Sequence, residues 1–379
     1  MRTRLLAAAV VLTVAACGSP NQAANDDKTV HVGLVYSQSG PLAGYGKQYA
    51  DGFKAGLAYA TGNTNKIGDR TVDVTYADDA GDPVKAVSAA KDLIGKGYKV
   101  LAGSTASGVA LQVAPLAAQN KVLFVSGPAA TDAITGVNRY TFRSGRQSYQ
   151  DVLTAKAYLG DGRKVLVFAP DSAFGTSNVA AVKAVLGSSA TVTNIAVPAG
   201  ATDFTPFAGQ IKAARPDLVF VAWAGTTASA MWQALDQQGV LSSTTVVTGL
   251  DIRASWPGFG PAGSKLRLLA HYFDGATDTP AYQALRSAVG TTDLFHPDGF
   301  AAAQMIVKAL QTSPDDVDTM VASLEGYRFD SVKGELTVRA EDHALLQPMF
   351  QAKLGGTAVS RTGEVSATDA APPVAAMKG

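Results

Sequence analysis

Val100-Leu101-Ala102-Gly103-Ser104-Thr105-Ala106-Ser107-Gly108-Val109-Ala110-Leu111-Gln112-Val113 carries the fold in a single stretch. Its first four residues are a short apolar run closing on glycine, as in strands buried on both faces of a parallel sheet. From Gly108 to Asn120, Val109, Leu111, Val113, Leu116 and Ala117 fall near helical spacing. A buried strand that passes through a short polar loop straight into a helix is half of a parallel βαβ crossover.

The alternation continues on both sides. Strands are predicted over 31–36, 72–76, 100–103, 122–126, 165–169, 192–197, 218–223, 245–248 and 266–272. Helices are predicted over 45–60, 83–97, 108–120, 148–158, 175–186, 204–214, 227–238, 280–289, 299–311 and 315–324. This is an α/β pattern with two similar halves and no short-period repeat. Trp232, at helical spacing, reads as core.

Ligands of open α/β sheets sit beyond the carboxyl ends of the strands, which points to three strand-to-helix loops. These are 37–46, which contains Tyr45; 103–108, which contains Ser104, Thr105 and Ser107; and 126–132, which contains Ala129 and Thr131. Free N–H groups at helix N-termini and nearby hydroxyls form a carboxylate or phosphate seat. Ser107 and Thr131 are the best-placed side chains for it. Both also fit plain N-caps, which stabilise a helix by ~1 kcal/mol and bind nothing.

The 379 residues carry 32 Lys and Arg against 31 Asp and Glu, a net charge of +1. With no basic cluster, no nucleic-acid partner is expected. His31, His271, His296 and His343 show no metal-ligand spacing, and no serine lies in a G-x-S-x-G elbow. His31 begins a strand, His343 falls in a polar loop, and His296 is expected at the surface or at a helix start. Asp78, Asp79 and Asp82 read as a hydrated loop capping the helix from Pro83. The expectation is a protein that is not an enzyme and holds no cofactor and no metal.

At the N-terminus, Arg2 and Arg4 precede an apolar run from Leu5 to Ala16, the layout of a secretory signal. It is shorter than the ~20 residues a membrane span needs. Val14-Ala15-Ala16-Cys17 resembles the lipobox of bacterial lipoproteins, which makes residues 1–16 the signal and Cys17 the acylated first residue of the mature chain. An ordinary signal peptide containing a cysteine is the alternative. Cys17 is the sole cysteine, so the chain folds without disulfides in an oxidising compartment. Residues 17–28 read as a flexible tether and 367–379 as a disordered tail.

In order and spacing, His31-Val32-Gly33-Leu34, residues 39–46, 78–83, 103–115, 126–132, 171–175, 201–204 and 211–220 resemble the type I periplasmic solute-binding proteins of branched-chain amino acid ABC importers. The resemblance covers most of residues 29–354. It implies two Rossmann-like lobes joined by three hinge crossings: 29–148 with 273–343, and 149–272 with 344–366. It also implies a monomer that closes on a small carboxylate and hands it to an ABC permease and its ATPase, with Cys17 anchoring it to the membrane. A ligand-sensing receptor of the same fold is the alternative; permease and ATPase genes beside this one would favour delivery.

The resemblance assigns the ligand carboxylate to Ser107 and Thr131, with Ser104 and Thr105 in the same seat, and part of an ammonium to the carbonyl of Ala129. Tyr45 matches the ring over the ligand. Phe174 stands where the family has a tyrosine, and a second tyrosine falls on Trp223 or Ala224. The ammonium-binding glutamate aligns with Leu250, with Asp251 next to it. Losing that acid disfavours α-amino acids unless another carboxylate replaces it. A hydrophobic carboxylate, aromatic or branched aliphatic, then fits better, with Phe300 as a further candidate for the apolar wall.

Overall fold

A computed structural model describes residues 28–158 and 164–378. Cys17, the signal segment 1–16 and the tether up to residue 27 lie outside the described residues.

The first sheet is built from β1 (Thr29–Tyr36), β2 (Lys66–Ile67), β3 (Arg70–Asp78), β4 (Val100–Gly103), β5 (Leu123–Ser126) and β6 (Thr141–Arg143). Their order is β2-β3-β1-β4-β5-β6, parallel except for the β2–β3 hairpin. All four residues of β4 and of β5 are buried, as the continuous apolar runs require. The helices between these strands are α1 (Ala43–Ala60), α2 (Pro83–Gly95) and α3 (Ser107–Asn120). Asp82 caps α2, accepting from the N–H groups of Val84 at 2.7 Å and Lys85 at 3.2 Å, with Pro83 in the first turn.

The second sheet follows α4 (Ser148–Ala155). Its elements in chain order are β7 (Lys164–Pro170), α5 (Ala173–Leu186), β8 (Thr191–Val197), α6 (Thr205–Ala214), β9 (Leu218–Val221), α7 (Ala228–Gln237), α8 (Val240–Ser243), β10 (Thr245–Gly249) and β11 (Arg267–Ala270). Three helices come next: α9 (Pro280–Val289), α10 (His296–Thr312) and α11 (Val317–Leu324). A small antiparallel sheet of β12 (Arg328–Ser331), β13 (Gly334–Val338) and β14 (Leu345–Leu346) follows. Finally β15 (Met349–Gly355) and β16 (Ala358–Val365) return to the second sheet, whose order is β16-β15-β11-β10-β9-β7-β8. The molecule thus has two Rossmann-like lobes, and the chain passes between them at 144–147, 271–295 and 347–348.

Close backbone packing joins α1 to α10. A Cβ on Gly52 would lie 1.9 Å from the carbonyl oxygen of His296, one on Gly56 2.5 Å from that of Phe300, and one on Gly299 1.9 Å from that of Tyr49. Phe300 therefore lies in the core between the lobes, fully buried, and not on a ligand wall. Trp232 is core as expected. His296 begins α10 but is buried, and His343 is buried too, stacked on Phe142 with ring centroids 3.8 Å apart.

The tail differs from the expectation of disorder over 367–379. After β16 the chain turns at 366–370, buries Ala370, and crosses to the first lobe. There Arg339 Nη1 donates to the carbonyl of Pro372 at 2.7 Å, the Ala375 N–H donates to Asp342 Oδ2 at 2.9 Å, and the Lys378 N–H donates to the carbonyl of Gly136 at 2.8 Å. An Ala- and Pro-rich segment has too little apolar surface to order itself, but hydrogen bonds from a folded surface supply the missing stabilisation.

Candidate functional site

A cavity of about 340 Å³ lies between the lobes at the carboxyl ends of both parallel sheets, within the range typical of small-ligand pockets. On the first-lobe side it is lined by Tyr45 and by Thr105, Ser107 and Gly108 at the start of α3. Residue Ala106, which precedes α3, offers no side-chain cap, so the first-turn N–H groups of this helix are left for a ligand anion. Phe174, Trp223 and Leu250 form the second-lobe wall, and Phe295 closes the side near the hinge. Trp223 is fixed by stacking on Phe168 and an edge contact with Phe204, with ring centroids 5.4 and 5.3 Å apart.

The lobes touch across this cavity. Tyr45 Oη donates to Asp251 Oδ1 at 2.6 Å and accepts from the Gly225 N–H at 3.1 Å. Burial and the adjacent Asp251 raise the phenol pKa, so it stays protonated and donates. Burial also raises Asp251, although Tyr45, the Ile252 N–H and Ser255 all favour its ionised form. A second tie joins Asp132 of the first lobe to Ser177 of α5, whose Oγ accepts from the Asp132 N–H at 2.9 Å and donates to its Oδ2 at 3.0 Å.

Of the residues picked from sequence, Tyr45, Thr105, Ser107, Phe174, Trp223 and Asp251 come together on the cavity wall, while Ser104, Ala129 and Thr131 stand behind it. Thr131 Oγ1 accepts from the Ala133 N–H at 3.3 Å and caps the short 3-10 helix Asp132–Ile134. The Ala129 carbonyl accepts from Arg143 Nη2 at 2.9 Å, and buried Ser104 directs its hydroxyl to the Ala106 carbonyl at 3.4 Å. Ser107 Oγ accepts from the Thr131 N–H at 3.2 Å, fixing the two loops against each other.

Sequence reasoning passed over Arg146 and Asp151, which both line the cavity. Arg146 follows β6, in a strand-to-helix loop like the three singled out. The same carboxyl-end rule points to it, but β6 is only three residues long and too short to read as a strand, so the loop after it was not recognised as one of the set.

Beneath the cavity, a buried polar cluster spans the hinge. Lys333 Nζ donates to Asp298 Oδ1 at 3.0 Å and to Gln347 Oε1, and His271 Nε2 lies 3.4 Å from Asp298 Oδ2. Burial pushes His271 down to about 4, while Lys333 and His271 outweigh the burial of Asp298 and hold it at about 2. Among the described residues, no group of three or more His, Cys, Asp or Glu side chains is arranged to hold a metal ion.

A periplasmic binding protein family model matches residues 29–358. The chain belongs to that family. It is similar, at 26% identity over 324 residues, to a Leu/Ile/Val-binding protein of Rhizobium johnstonii, covering 81% of this chain and 87% of that one. A solved ABC-type branched-chain amino acid transporter from Rhodopseudomonas palustris is 29% identical, with TM-score 0.73 over 92% of this chain and 100% of the other. An R. palustris ABC-transporter solute-binding protein in complex with 4-hydroxybenzoate shares the fold at TM-score 0.81 and 22% identity, over 89% and 97% of the two chains. Family membership sets this protein outside the cytoplasm, as a solute-binding component of an ABC transporter. No helix among its described residues is long and apolar enough to cross a membrane.

Proposed function

We propose that this family member is the lipid-anchored, monomeric receptor of an ABC importer, held at the membrane through Cys17, that closes its lobes on a small carboxylate and delivers it to a permease and ATPase. It is a binding protein and not an enzyme. The lobes divide at the three crossings, with 29–143 and 296–346 in the first and 148–270 and 349–365 in the second. One observation carries the reading: an inter-lobe cavity has the uncapped N-terminus of α3 on one wall and Phe174, Trp223 and Leu250 on the other. An anion accepts from the N–H groups while an apolar body packs against the rings, and closure removes both from water. Micromolar affinity requires ~8 kcal/mol in total.

A thermal-shift screen of amino acids, 2-keto acids and aromatic acids tests the receptor role, since a ligand that binds only the folded state raises the melting temperature. At least one hydrophobic carboxylate is expected to do so, with calorimetry confirming one site. A panel with no response overturns the proposal. For the anchor, Cys17→Ser is expected to release the protein from the membrane fraction; retention of the variant, with no fatty acid on the unaltered chain, overturns that part.

A further inference from the structure

We propose that Asp151, held in place by Arg146, receives the ammonium of an α-amino acid in the cavity and so replaces the acid missing at Leu250. This rests on the receptor reading above.

Among the described residues, the charged side chains lining the cavity are Arg146, Asp151 and Asp251. One guanidinium faces two carboxylates. A bare carboxylate would enter a wall that already carries surplus negative charge, whereas a zwitterion brings its own cation.

The two acids differ in how far they are satisfied. Asp251 accepts from the Tyr45 hydroxyl at 2.6 Å and from the Ile252 N–H at 2.7 Å. Asp151 has a single contact, Arg146 Nε at 3.4 Å, and an ionised carboxylate accommodates about four donors. Leaving such a group short of partners in a desolvated site is costly, and an ammonium with three donors satisfies it. Burial pushes the Asp151 carboxyl up, and Arg146 together with the first turn of α4, where the helix dipole favours the ionised form, pulls against it; an ammonium beside it tips the balance to the carboxylate.

Arg146 is a positioning residue. Its Nη1 donates to the Pro128 carbonyl at 3.0 Å, and its guanidinium lies over the Phe295 ring, 5.7 Å from the centroid. Held at both ends, it stands as the ion-pair partner of Asp151, 3.4 Å from the carboxylate. The ligand carboxylate is then left to the N–H groups of α3, one loop away through Pro128, Thr131 and Ser107.

The test is calorimetric titration of the full-length chain with matched pairs: leucine with its 2-keto acid, and phenylalanine with its 2-keto acid. The first readout needs no variant: the better-bound amino acid should exceed its keto acid by tenfold or more. Asp151→Asn should weaken that amino acid at least 30-fold and leave the keto acid unchanged or tighter. Asp251→Asn should shift both members of a pair by the same factor. Equal affinity of the unaltered chain for both members, or an amino-acid preference that survives Asp151→Asn, overturns the assignment and leaves the receptor standing. Failure to bind any acid of the panel overturns the receptor reading, and this assignment with it.

Discussion

Tyr45 shows what one side chain contributes when it is shared between lobes. Its hydroxyl makes two hydrogen bonds to the second lobe, one of them to a carboxylate. Such a bond contributes ~1.5–3 kcal/mol, and this one exists only when the lobes meet. Tyr45→Phe is therefore expected to weaken ligand binding by tenfold or more with little change in melting temperature. Titration showing full affinity would mean that the closed state does not depend on this tie. Thr131→Ala behaves in the opposite way. Its hydroxyl caps a turn behind the cavity, so the variant should lose ~1 kcal/mol of stability and retain its affinity. At this scale the sequence was a partial guide. Thr131 and Ser107 look alike in a string of letters, both hydroxyls in a strand-to-helix loop, and only the path of the backbone decides which faces the ligand. Asp251 could be named but not its partner, because Tyr45 lies 206 positions away.

The parallel βα units were legible because buried strands and amphipathic helices leave different periodicities. Strand β4 was predicted with its exact bounds, and α9 likewise. The antiparallel elements β12 to β16 were missed: alternating or largely exposed strands such as β16 carry no continuous apolar run. Nor does the sequence show that α1 and α10 pack backbone against backbone, since a helix-interior glycine more often merely weakens a helix. The two cases separate by experiment. Gly52→Ala drives a methyl into the carbonyl of His296 and is expected to cost ~1–3 kcal/mol or more in urea unfolding. Gly209→Ala in α6 meets nothing within 4 Å and should be neutral or stabilising by up to ~1 kcal/mol. Equal losses in the two variants would contradict the packing described.

Across the whole molecule, the hinge is polar at its centre. His271 is kept neutral, its pKa lowered from 6.5 to about 4 by burial, against the pull of Asp298. Between those pH values the unfolded imidazole binds a proton that the folded one does not. The stability contribution is therefore full above pH 6.5 and is lost as the pH falls toward 4, a loss of a few kcal/mol at ~1.4 kcal/mol per unit. The difference in unfolding free energy between the unaltered chain and His271→Gln is expected to shrink between pH 7 and pH 4.5. A pH-independent difference would show that this imidazole does not titrate as its surroundings require.

The return of the tail to the first lobe decides where spectroscopic probes should be placed. Val374 is exposed and rides on the first lobe, yet it lies only a short turn and a few residues beyond a second-lobe strand. The exposed turn residue Thr357, between β15 and β16, moves with the second lobe. Spin labels on Val374→Cys and Thr357→Cys, in a chain whose sole native cysteine is Cys17, would sit close in sequence but report the distance between lobes. That distance should change when ligand is added. A label on Val374 paired with one on Lys54 of α1 should show no change, because both belong to one rigid body, and the two pairs together would read domain motion against an internal standard.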